Sequence, residues 1–148
     1  MSAATPRPLR VLVVDDDPAC RELLAFVLRV DVEAEVVGYA YDGVEGVRLA
    51  RALRPDVVVM DLRMPRMDGL EATRQIAATV RGARVLVVSS STDPEDARRA
   101  REAGAAGFIR KDRAVAELPE TLGQLRPAKR LPKLGGCRMP ILRPTQPI

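Results

Sequence analysis

Three short runs constrain this chain more than any other feature: Val11–Val14 (VLVV), Val57–Met60 (VVVM) and Val85–Val88 (VLVV). Each is too short for a helix and apolar at every position, so neither of its faces suits water. Strands of that kind fill the middle of a parallel sheet that is covered on both sides. The more mixed segment Glu33–Ala40 and the short, small-residue segment Ala105–Ile109 suit edge strands.

Helical patterns lie between these runs. Ala19–Val30 puts Cys20, Leu23, Leu24, Val27 and Leu28 on one stripe, and Asp42–Leu53 does the same with Val44, Val47, Leu49 and Ala50. Asp68 is placed to cap a helix over Leu70–Thr79. Asp93-Pro94 opens another that carries Asp96 in its first turn and stops at Gly104. Pro119 is expected to open a last helix, with Leu118, Leu122 and Leu125 facing inward. Strand and helix thus alternate five times, which predicts an α/β fold. The expected form is a flavodoxin-like, doubly wound five-stranded parallel sheet of order 2-1-3-4-5 flanked by five helices.

In such a sheet ligands bind beyond the carboxyl ends of the strands. The residues there are Asp15, Asp16 and Asp17 after the first run, Asp61 after the third strand and Ser89, Ser90 and Ser91 at the fourth. Arg110 and Lys111 follow the fifth. Carboxylates gathered on one rim repel one another and raise each other's pKa values, unless a cation with a preference for oxygen ligands sits among them. Mg²⁺ suits one or two carboxylates, a carbonyl and waters. A carboxylate beside it can attack phosphorus, while a lysine and a hydroxyl bind other phosphoryl oxygens. Asp17 is expected to cap the first helix rather than bind metal, and Cys20 to fill core.

The segments VLVVDDDPACR, VVVMDLRMPRMDGLEA, VLVVSSS and GAAGFIRKD resemble, in order over Leu9–Leu125, the four signature segments of a bacterial two-component response-regulator receiver domain. The resemblance implies that Asp61 is the phosphoacceptor. It implies a Mg²⁺ site made by Asp15, Asp16, Asp61 and the backbone carbonyl of Arg63. Ser89 and Lys111 would bind the phosphoryl group, with Ser89 and Phe108 as the switch pair. The implied partner is a sensor histidine kinase, with a homodimer contact through the fourth helix, fifth strand and fifth helix. The implied chemistry is self-phosphorylation and autodephosphorylation, not turnover of a substrate. Asp112 stands where many receivers have proline, so no cis bond is expected after Lys111. Lys-Asp resembles the subclass usually attached to LuxR-type helix-turn-helix domains, which makes an N-terminal fragment of a DNA-binding regulator the alternative. An aspartyl-phosphate phosphatase of the haloacid-dehalogenase pattern fits less well. It needs a second acid two positions after the nucleophile, where this chain has Arg63.

Composition narrows the field further. The chain of 148 residues has no histidine, which removes Ser/His/Asp triads, His-ligated metals and any phosphohistidine carrier. Cys20 and Cys137 form no CxxC, so neither a zinc site nor a disulfide framework is expected, and a cytoplasmic location is the default. No apolar run approaches the roughly 18 residues of a membrane span. The formal charge of +4 is unevenly spread: all 20 acidic residues precede residue 126, and six of the 24 Lys and Arg follow residue 125. The chain therefore reads as a disordered lead over 1–8, a receiver domain over 9–126 and a Pro-rich basic tail over 127–148. That tail has no aromatic residue for base stacking, so no specific nucleic-acid binding is expected of this chain alone. Arg98, Arg99 and Arg101 read first as a solvated helix face.

Overall fold

The computed structural model describes residues 7–126; the expected disorder of residues 1–6 and of the tail 127–148 lies outside the described residues. Five strands form one parallel sheet in the order β2-β1-β3-β4-β5. They are β1 (Leu9–Val14), β2 (Ala34–Ala40), β3 (Val57–Met60), β4 (Arg84–Ser89) and β5 (Gly107–Arg110). The helices are α1 (Pro18–Val27), α2 (Gly43–Leu53), α3 (Gly69–Thr79), α4 (Pro94–Glu102) and α5 (Ala114–Leu125). This is the fold expected from the alternation of runs.

The runs Val11–Val14, Val57–Met60 and Val85–Val88 are buried at every position because successive side chains enter different cores. Val11, Val13, Val57, Val59, Leu86 and Val88 pack with Leu24, Val27 and Leu28 of the first helical segment and with Leu118 and Leu122 of α5. Leu12, Val14, Val58, Met60, Val85 and Val87 pack with Val47 and Ala50 of α2, Ala72 and Ile76 of α3 and Ala100 of α4. The period of two along each strand therefore feeds two helical layers, one on each face. The edge strand β2 is less buried, and its register with β1 shifts between Val11 and Leu12.

Several boundaries depart from the sequence reading. The last helix starts at Ala114, after a 3₁₀ turn over Lys111–Arg113, and Pro119 lies inside it. Burial of Ala114, Leu118 and Leu122, spaced by four residues, outweighs the hydrogen bond lost at Pro119. Val115, four residues earlier, is exposed, so water can reach the backbone turn that loses its donor. The α-helical part of the first helix ends at Val27 and passes into a π-helical turn over Leu28–Val32, closed by Glu33 in the left-handed region at φ 58°. Leu23 and Val44 were expected on buried stripes but are exposed, because each lies at the margin of its stripe. The fifth strand begins at Gly107, leaving Ala105 and Ala106 in the preceding turn.

Local capping agrees with the sequence. Asp17, Asp42, Asp68 and Asp93 each accept a backbone N–H at the start of α1, α2, α3 and α4, and Pro94 takes the first turn of α4. Gly104 follows α4 at φ +111°, a conformation that favours glycine. Arg7 reaches Asp56 through two hydrogen bonds of 2.9 Å. Among the described residues there is no cis peptide and no helix long and apolar enough to cross a membrane.

Candidate functional site

The parallel ladders continue one residue past the strands and so place the acids. The Asp15 amide donates to Ala40 O at 3.0 Å, and the Asp61 amide donates to Val14 O at 2.9 Å. Asp15, Asp61 and Ser89 are accordingly held at 1%, 7% and 2% exposure at the carboxyl edge of the sheet. The loop after β3 returns tightly: the Gly69 amide donates to Leu62 O at 2.7 Å. A Cβ at Gly69 would stand 2.0 Å from Asp61 O, so only glycine permits this approach.

One carboxylate oxygen from each of Asp15, Asp16 and Asp61 lies within 4.8 Å of the others. Asp16 is exposed while the other two are buried. Lys111, in the turn after β5, brings Nζ to 3.0 Å from Asp15 Oδ2 and 3.6 Å from Asp61 Oδ1. Further donors fix the carboxylates: the Asp17 amide bonds Asp15 Oδ1, and the Leu62 amide bonds Asp61 Oδ1, both at 2.9 Å.

These surroundings set the acidity of Asp61. Burial, followed by the charge of Asp15, raises its carboxyl to about 6; Lys111 and the Leu62 amide pull the other way, and Asp16 adds to the rise. Burial alone would lower the Lys111 ammonium. Its hydrogen bond to Asp15 and the charges of Asp61 and Asp15 outweigh that and raise it. At neutral pH the site therefore holds ionised Asp61 against a protonated lysine. The concentration of carboxylate oxygens, with one exposed member, fits a hard cation with oxygen ligands.

The other expected residues are distributed around this pocket. The Ser89 hydroxyl accepts from the Ser91 amide at 3.0 Å. Phe108 pairs with Val87 in the β4–β5 register and packs, half-buried, on the core beneath α2, α3 and α4. Arg63 lies in the loop after Asp61, with its guanidinium turned to Asp96 at 3.2 Å. Arg98 pairs with Glu95 and Glu102, and Arg99 with Asp96, so those arginines mainly serve their own helix.

Three neighbours make contacts that the sequence reading did not include. Cys20 packs on the core as expected, but burial and a hydrogen bond with Asp15 push its thiol up to about 12, which leaves it protonated. Arg21 donates to Asp15 O at 2.7 Å and lies 4.3 Å from the centre of the Tyr41 ring. Asp96, in the first turn of α4 as expected, is also a buried acceptor. The Ser91 hydroxyl foremost, then the Arg63 and Arg99 guanidiniums, hold its carboxyl below the usual carboxylate range. A signal existed for the first two: five and six residues after Asp15, a helix starting at Pro18 turns back over the strand end.

Comparison with known proteins settles the family. The response regulator receiver domain matches residues 11–123. The chain belongs to the response regulator receiver family. It is 49% identical over 106 residues to protein-glutamate methylesterase/protein-glutamine glutaminase 4 of Myxococcus xanthus (strain DK1622), covering 70% of this chain and 30% of that protein. It is 41% identical over 114 residues to the transcriptional regulatory protein LiaR of Bacillus subtilis (strain 168), covering 77% of this chain and 54% of LiaR. The solved receiver domain of NarL from Mycobacterium tuberculosis superposes with a TM-score of 0.76 at 35% identity, covering 80% of this chain and 96% of that one. A solved two-component response regulator of the LuxR family from Aurantimonas sp. SI85-9A1, 36% identical with a TM-score of 0.75 over 80% of this chain and 85% of that one, meets the expected likeness to LuxR-type regulators, and the methylesterase shows that the likeness is shared with other receivers. This receiver spans about half or less of the curated relatives it matches.

Proposed function

We propose that this receiver accepts a phosphoryl group on Asp61 from the phosphohistidine of a sensor histidine kinase, in the cytoplasm, and acts as a switch rather than a turnover enzyme. The observation that carries this is Asp61 itself: buried, raised to about 6, and paired with Lys111 beside two further acids. Such a carboxylate is a stronger base than an ordinary one and is still ionised at neutral pH. An Asp61 oxygen forms a bond to phosphorus as the donor N–P bond breaks, and the imidazole nitrogen keeps the electron pair and takes a proton from water. Asp15, Asp16 and Asp61, with the Arg63 carbonyl, are the residues to hold Mg²⁺, which when bound offsets charge on the phosphoryl oxygens. Lys111 then has one phosphoryl oxygen to neutralise, and Ser89 exchanges the Ser91 amide for another. Movement of Ser89 shifts the β4–α4 loop, and Phe108 follows on β5. The α4–β5–α5 face thereby changes its preference for a partner, a second copy included.

Intact mass after incubation with a small phosphodonor and Mg²⁺ tests this reading. One added phosphoryl group is expected on the wild type and none on Asp61→Ala. Labelling that persists in Asp61→Ala refutes the assignment. The likeness to LiaR supports a second reading, in which the receiver controls an attached DNA-binding domain. That reading predicts no retardation of duplex DNA by residues 1–148 alone.

A further inference from the structure

Asp96 has no duty left as a cap. Asp93 already occupies the N-cap of α4 and accepts from the Glu95 amide. The Asp96 side chain is nonetheless only 8% exposed and takes three donors. These are Ser91 Oγ at 2.5 Å, an Arg99 guanidinium nitrogen at 3.0 Å and an Arg63 guanidinium nitrogen at 3.2 Å.

Two of the donors belong to loops that border the acceptor pocket. Ser91 gives its amide to the Ser89 hydroxyl, so the bond to Asp96 steadies the hydroxyl's present partner. Arg63 stands two residues after Asp61, which puts their Cα atoms at most about 7 Å apart. Its side chain is 76% exposed, and Asp96 is its ion-pair partner among the described residues. A long, solvated guanidinium so placed can reach a phosphoryl dianion on Asp61 by rotation alone, but only by leaving Asp96.

Building on Asp61 as the acceptor, we propose that Asp96 is a positioning residue that holds the Arg63 guanidinium off the pocket, so that an incoming phosphoryl group and Asp96 compete for Arg63. Asp96 thereby slows phosphoryl uptake from anionic donors. The pair couples occupancy of Asp61 to α4, because Arg63 released by Asp96 is Arg63 engaged at the pocket. Asp96 is not among the chief causes of the Asp61 pKa shift, which are burial, Asp15, Lys111, the Leu62 amide and Asp16. Its influence runs through Arg63.

The test uses residues 1–148 as wild type, Asp96→Asn, Arg63→Ala and the double variant, with acetyl phosphate and phosphoramidate as donors. With acetyl phosphate the O–P bond to the acyl group breaks, acetate leaves with the electron pair and an Asp61 oxygen takes the phosphoryl group. Asn at position 96 keeps the volume and an oxygen for the Ser91 hydroxyl but loses the charge. Uptake of phosphoryl group by Asp96→Asn, followed by intact mass, should be about 3- to 10-fold faster with acetyl phosphate, the scale of one ordinary net hydrogen bond. The effect should be smaller with phosphoramidate, whose ammonium end reduces its charge, and it should vanish in the Arg63→Ala background. Equal rates for Asp96→Asn and wild type, or an undiminished effect without Arg63, overturn the proposal. A wild type that takes no phosphoryl group from either donor instead overturns the assignment of Asp61. A second measurement needs no change at Asp96. On the wild type, Mg²⁺ and beryllofluoride should shift the Arg63 side-chain nitrogen resonance, identified by its loss in Arg63→Ala. An unmoved resonance on a loaded protein also overturns the proposal.

Discussion

Asp61→Asn should make the metal-free protein more stable at neutral pH, and the gain should depend on pH. The Asp61 carboxyl moves from an ordinary value of 3.8 to about 6 on folding, raised chiefly by burial and by Asp15. A raised carboxyl means the folded state binds the proton more tightly than the unfolded chain does. Ionisation of Asp61 therefore costs the wild type nothing below about pH 4 and an increasing amount as pH rises from there through about 6. The shift of about 2 units, at 1.36 kcal/mol each, sets the loss at about 3 kcal/mol at most. Asparagine keeps the Leu62 hydrogen bond through its amide oxygen and removes the charge that faces Asp15. Urea unfolding of both proteins at several pH values in a chelator measures the gap from the midpoints at constant slope. A gap of about 1–3 kcal/mol at pH 7.5, closing towards pH 4, is expected on this accounting. Added Mg²⁺ should narrow it by stabilising the wild type more than the variant. A variant that is no more stable than wild type at pH 7.5, or a gap that ignores pH, refutes the account of Asp61 as a strained anion.

Three further outcomes follow from the structure. Lys111→Met removes the cation that opposes the rise at Asp61, so the Asp61 carboxyl should titrate above about 6; carboxyl-carbon NMR reads this directly, and an unchanged or lower value contradicts the pairing. Gly69→Ala places a Cβ 2.0 Å from Asp61 O and should cost about 3 kcal/mol or more. Gly123→Ala on α5 meets nothing within 4 Å and should gain about 0.5–1 kcal/mol; chemical denaturation compares the two.

Much of the site was legible because it follows from strand direction. Once Val11–Val14, Val57–Met60 and Val85–Val88 are read as parallel strands, Asp15, Asp61 and Ser89 must share one edge, and Lys111 after the last strand joins them. The caps at Asp17, Asp68 and Asp93 were legible because they involve residues two or three apart. The start of α5 was misread because a local rule for proline was applied where burial of Leu118 and Leu122 decides. Asp96 stands in the first turn of α4 as expected, but its bond to Arg63, 33 residues away, was not legible from local spacing.

The sequence by itself determined the alternation of elements, the layered fold and the edge at which the chemistry gathers, since each rests on short-range periodicity and the common direction of the strands. Only the tertiary structure decided the raised pKa of Asp61, the contact of Cys20 with Asp15 and the hold of Asp96 on Arg63. Desolvation and charge pairing depend on distances between groups far apart in the chain, and those distances exist only once the sheet and its helices have closed around them.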